Sequence, residues 1–143
     1  MIPPEAEAVE APHGEVAERL RAAFESAPPS VVAAYLFGSV ARGDARRGSD
    51  VDVAVLFSAP LEAALGNAAS RLEGDLERVL RRPVQVVELN RAPADLVHRV
   101  LRDGRILLDR DREARIQFEV RARNEYFDLE PIRRLYRRAA PIP

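Results

Sequence analysis

The sequence has no cysteine, no tryptophan and a single methionine, its first residue. Without cysteine there are no disulfides, no thiolate metal ligands and no thiol nucleophile, and the composition fits a reducing, cytoplasmic setting. Lysine is also missing, so all 22 basic residues are arginine. Only two histidines occur, His13 in the expected leader and His98 beside the apolar stripe of an expected helix, and a lone helical histidine is more often packed or solvated than catalytic. No apolar run approaches the length of a membrane-crossing helix. The formal net charge of -1 gives no overall pull toward nucleic acid or anionic membrane. With 143 residues, one domain with a real core is the natural expectation.

What is present concentrates in one stretch, YLFGSVARGDARRGSDVDVAVLF, running from Tyr35 to Phe57. An apolar run ends abruptly at Gly38-Ser39. Ten residues later Asp50-Val51-Asp52 stands at the front of a second apolar run. Side chains at i and i+2 of a strand share a face, so Asp50 and Asp52 would sit side by side. Two adjacent carboxylates repel, and each raises the cost of ionising the other. A hard divalent cation offsets that repulsion. Magnesium takes one or two carboxylates and completes its shell with water and substrate phosphates. Gly38 would let a phosphate approach the backbone closely. Ser39 would cap the following helix and offer its hydroxyl to that phosphate, and Arg42 would add a fork of donors.

These residues resemble the signature of the minimal nucleotidyltransferases in the DNA polymerase beta superfamily, Gly-Ser, ten residues, Asp-x-Asp. All four signature positions match: Gly38, Ser39, Asp50 and Asp52. At average residue usage such a match arises by chance in roughly one chain of this size in five hundred. The resemblance implies a small mixed β-sheet with helices on one side, an α/β (α+β) fold. It also implies ATP as substrate, magnesium at Asp50 and Asp52, and the triphosphate on Gly38, Ser39 and Arg42. The family supplies a third carboxylate from the strand read here at residues 84–89, but that position holds Gln85. Glutamine can accept a hydrogen bond but brings no charge and cannot act as a base. Glu88 replaces it only if the strand bends, because the two face opposite sides of a regular strand.

Around the motif the periodicity predicts a flexible leader over 1–13, then a domain over 14–109 and a helical tail over 110–143. Helices are expected over 14–27 and 60–81 and before Gly104, and strands over 31–37, 51–57, 84–89 and 105–108. A charged helix is expected from 109 to about 127, followed by a turn at Pro131 and a basic tail. Arg46 and Arg47, in the loop inside the motif, read equally as triphosphate contacts or as a solvated basic loop.

The tail interleaves arginines with Phe118, Tyr126, Phe127, Leu129, Ile132, Leu135 and Tyr136, a composition suited to a protein interface. Acidic residues among them argue against nucleic acid as a direct ligand. Glu119, Glu125-Tyr126 and Asp128 loosely resemble the tail of antitoxins in HEPN–MNT toxin–antitoxin pairs. The resemblance thus implies transfer of AMP from ATP to a tyrosine of a HEPN ribonuclease toxin. Two alternatives stay open: neutralisation of that toxin by docking alone, and transfer to a small-molecule hydroxyl.

Overall fold

Val31–Phe37 (β1), wholly apolar, and Val51–Phe57 (β2), apolar except for Asp52, form the centre of a four-stranded sheet. The computed structural model describes residues 13–46, 49–58 and 68–139. The elements that surround the two strands are α1 (His13–Phe24), α2 (Gly38–Arg42), α3 (Ala68–Leu80), β3 (Val84–Glu88), α4 (Ala94–Asp103), β4 (Arg105–Asp109) and α5 (Arg112–Ala139). Residues 1–12 of the expected leader, Arg47 and the first part of the helix expected from residue 60 lie outside the described residues, while His13, the last residue of that leader, opens α1.

The strand order is β3-β2-β1-β4. β1 runs antiparallel to both β2 and β4, while β2 and β3 are parallel. A parallel pair needs a crossover, and the segment containing α3 provides it. The sheet is therefore mixed, as the sequence implied. Helices cover both of its faces, however, where the resemblance implied one. α1 and α3 pack Leu20, Phe24, Leu72 and Leu76 against Val51, Val53 and Val55. On the other face α4 and the first half of α5 set Val97, Val100 and Phe118 against Tyr35, Ala54 and Leu56. The reason is compositional. β1 and β2 are apolar at successive positions, so each face must be shielded from water.

Polar contacts fix the two helical layers. The Tyr35 hydroxyl donates to Glu119 at 2.9 Å. Glu119 also accepts from Arg115 at 3.0 Å, and Arg115 lies 3.0 Å from Asp109. This chain ties α5 to β1 and β4. Burial first, and then the bond to Glu119, push the Tyr35 phenol well above its ordinary value of 10.0.

The predicted turn at Pro131 is absent. α5 continues through it to Ala139. Proline removes a backbone donor and costs about 3 kcal/mol inside a helix. Strong helix formers, Leu, Glu and Arg, flank it on both sides, and the Glu130–Arg134 pair at 3.4 Å spans it. At 1.5 Å per residue the 28-residue helix is about 42 Å long. Its first turns lie on the sheet, while Phe127, Ile132, Leu135 and Tyr136 are exposed. Leu129, Ile132 and Tyr136 continue the face that carries Ala114, Phe118 and Ala122.

Arg110 holds the α1–β1 junction. Its guanidinium donates to the carbonyls of Pro28 at 2.6 Å, Ala27 at 2.8 Å, Val31 at 3.2 Å and Phe24 at 3.4 Å. These carbonyls run from the last residue of α1 to the first of β1. Arg110→Ala is expected to lose about 2 kcal/mol in urea denaturation. Arg110→Lys should recover less than half of it, because a point charge cannot span four acceptors.

Candidate active site

The register of the sheet decides which residues meet. Asp52 pairs with Phe37 across the antiparallel ladder and with Gln85 across the parallel one. Phe37, Asp52 and Gln85 thus form one rung, and Gly38 follows at the end of β1. Gly38 adopts φ +76°, a conformation that favours glycine. A Cβ built there would overlap Oδ2 of Asp52 and stand 3.1 Å from its Cγ. Glycine at 38 is therefore needed twice, for the turn and for the approach of the carboxylate.

Gly38 and Ser39 open α2, and Gly43 at φ 81° closes it, donating to the carbonyls of Ser39 and Val40. Ser39 does not cap this helix as the sequence reading expected. Phe37 occupies the N-cap, with no side-chain bond, because the helix begins one residue earlier. Ser39 instead faces a cleft of about 460 Å³, lined also by Gly38, Arg42, Asp52, Gln85, Arg99 and Asp103, with Phe37, Val87 and Leu96 as its apolar wall. Arg42 lies 3.3 Å from Asp44 at its rim.

Asp50 precedes β2 and is exposed. Burial first, and then the charge of Asp50, raise the Asp52 carboxyl above its ordinary 3.8, while Arg42 and Arg99 pull it down. This poorly compensated carboxylate pair is the donor chemistry that a hard cation satisfies, so Asp50 and Asp52 fit magnesium. No group of three or more such ligands gathers among the described residues.

Gln85 lines the cleft beside Asp52. Glu88 does not join them. β3 pairs without a bulge, and Glu88 stands opposite Val55, three rungs away, with Arg91 at 3.7 Å. The strand bend that would bring Glu88 into the site is not there. Arg46 bonds Ser49 through its backbone and does not line the cleft. Arg82 donates to the Ser49 carbonyl at 3.0 Å and so anchors the segment entering Asp50. His98 stacks on Tyr126 with ring centroids 3.7 Å apart and planes 7° apart. It is a packing contact between α4 and α5.

Arg99 and Asp103 were not singled out in the sequence. With Leu96 they recur at steps of three and four along α4, one helical face turned to the cleft. That spacing was readable, but only once α4 was known to lie against the motif.

The family profile described as polymerase beta, nucleotidyltransferase matches residues 18–113. The chain belongs to this family. No curated protein sequence matches it. Among solved structures, it resembles a chain of a toxin–antitoxin complex crystallised with AMP-PNP, 27% identical with a TM-score of 0.71, over 83% of this chain and 93% of that one. A structure described as a minimal nucleotidyltransferase is 30% identical with a TM-score of 0.55, over 67% of this chain and 96% of that one. The fold also matches a chain from a Shewanella oneidensis complex of tri-AMPylated HEPN toxin with MNT antitoxin, at 24% identity and a TM-score of 0.66, over 86% and 93% of the two chains. The architecture of this nucleotidyltransferase is thus that of the MNT antitoxins.

Two outcomes follow from the crowding at Asp52. Gly38→Ala should cost about 1–3 kcal/mol in thermal or urea unfolding, from the left-handed backbone and the displaced carboxylate. The raised Asp52 means that the native state holds this proton more tightly than the unfolded state does. The ionised carboxylate then opposes folding near neutrality, and the cost disappears once both states are protonated. With chelator present, Asp52→Asn is expected to melt higher than wild type at pH 7. The gap should narrow as the pH falls toward 3.8, as differential scanning fluorimetry across pH would show.

Proposed function

We propose that this nucleotidyltransferase moves AMP from ATP onto a tyrosine hydroxyl of a HEPN ribonuclease toxin and thereby silences it in the cytoplasm. The observation that carries the reading is the convergence of Gly38, Ser39 and Arg42 from α2 and Asp52 from β2 on one cleft. The similar chain crystallised with AMP-PNP, in a toxin–antitoxin complex, supports both a nucleotide and a partner of this kind.

In this reading Gly38 lets the triphosphate close on the backbone, and Ser39 and Arg42 donate to its oxygens. Asp50 and Asp52 hold magnesium, which, when bound, supplies charge neutralisation on the phosphates. The tyrosine oxygen bonds to the α-phosphorus, the bond to the β-phosphate oxygen breaks, pyrophosphate leaves, and the phenolic proton passes to solvent or a nearby base. Positioning and electrostatics are most of what such a transfer requires, so the cleft can act without a carboxylate at 85. The exposed second half of α5, with Leu129, Ile132 and Tyr136, is the surface for the toxin.

One observation favours a second reading, in which the chain neutralises by docking alone. Gln85 stands at the rung of Asp52, and Glu88 is turned away.

Intact-mass spectrometry of the co-purified toxin, after incubation with ATP and magnesium, separates the two. The transferase reading expects a gain of one or more AMP units that vanishes with Asp52→Ala. It also expects Gln85→Asp to speed modification about 100-fold, the lower range for a positioned base. An unmodified toxin in a stable complex would leave docking as the function.

A further inference from the structure

The second half of α5 carries two apolar stripes. Leu129, Ile132 and Tyr136 continue the face that packs on the sheet, whereas Phe127, Pro131 and Leu135 recur at steps of four along another. At about 100° per residue the two stripes are centred roughly 130° apart around the helix axis. In the second stripe Phe127 is 63% and Leu135 65% exposed. Both line a groove of about 470 Å³, together with Glu130, Pro131, Arg134 and Arg138. A helix that is apolar on more than one side calls for cover on more than one side. The toxin surface proposed above uses the first stripe and leaves the second bare.

Charge points to the occupant. Residues 124–130 hold three acids, Glu125, Asp128 and Glu130, and no base, while residues 131–139 hold four arginines and no acid. A second copy laid antiparallel sets each acidic block against the other copy's basic block. A parallel copy would set like charges together, and a nucleic acid would suit the arginines but meet repulsion from the acids. A two-fold axis at Pro131 also makes the stripe its own complement, as a symmetric contact requires. Residues equally far from that axis meet, so Phe127 of one copy lies on Leu135 of the other and the two Pro131 rings face each other. Glu130 and Arg134, 3.4 Å apart within one helix, then join their counterparts in a ring of alternating charge. From this pattern we infer that the chain pairs with a second copy of itself, antiparallel, through the Phe127–Pro131–Leu135 stripe of α5. A single helix crossing lies at the low end of specific interfaces, so the pairing is weak and depends on concentration and salt. It leaves the Leu129–Tyr136 face open and is independent of the chemistry in the cleft.

The test is sedimentation equilibrium of the full chain at low salt, from about 10 µM to about 1 mM. The wild type should rise from the mass of one chain toward that of two, and added salt should reverse the rise. Leu135→Ser, Glu130→Arg and Arg134→Glu should each weaken the pairing by at least about 10-fold. Thermal melts establish that the three variants are folded, as expected at such helix positions. The decisive sample is a mixture of Glu130→Arg with Arg134→Glu. Neither chain can complete the charge ring with itself, but one of each can, so the mixture should pair where the separate chains do not. Recovery in the mixture cannot come from the pair within one helix, which both variants lack. A wild type that keeps the mass of one chain throughout would overturn the inference, and loss of the co-purified toxin from Leu135→Ser would then assign the stripe to the toxin. A dimer that persists in all three variants would overturn it as well, by placing the contact elsewhere.

Discussion

The carboxylate of Asp52 lies against the α-carbon of Gly38, and the site depends on that contact. It exists because β1 and β2 pair antiparallel in a register that places Phe37 opposite Asp52. That register is held by burial. A one-residue slip would turn Val51, Val53 and Val55 from their core and bring Asp52 into it. The helices packed on both faces make such a slip costly, so the same hydrophobic layers that stabilise the sheet also set a distance of functional consequence. Glycine at the end of β1 is the local concession that lets the carboxylate in.

Electrostatics in the cleft follows from this placement. Asp52 is partly removed from water and has a second carboxylate two residues away, so it resists ionisation. Arginines on α2 and α4 relieve some of that strain without neutralising it. Asp52 therefore sits in an unfavourable arrangement, of the kind seen where stability is traded for function.

Much of this was legible in the residues alone. Gly38, Ser39 and Asp52 of the motif line one cleft, and apolar runs located β1 and β2, because both signals are local. The opposite facing of Gln85 and Glu88 followed from strand alternation and holds in the structure. Signals that depend on packing were not legible. Arg99 and Asp103 are surface-type residues on a helix that nothing in the sequence places beside the motif. Ser39 was read as a cap because Gly-Ser before a helix usually starts it one residue later. Pro131 was read as a stop because proline usually is one, and here the helix formers on both sides outweighed it. The second helical layer was hidden by an expectation carried over from resemblance, although the two-sided apolar pattern of β1 already called for it.

Position 85 has a bearing on how this kind of protein diversifies. β3 is an edge strand, and the Gln85 side chain is exposed on it. Exchanges at exposed positions generally alter stability by no more than about 0.5 kcal/mol. At Gly38, by contrast, any added side chain meets the Asp52 carboxylate. A lineage can thus gain or surrender an acidic group at 85 while the scaffold, the cleft and the long C-terminal helix stay as they are. A change in the chemistry of the cleft at 85 would then come at a position to which folding is nearly indifferent, so selection on it would meet little opposition from stability.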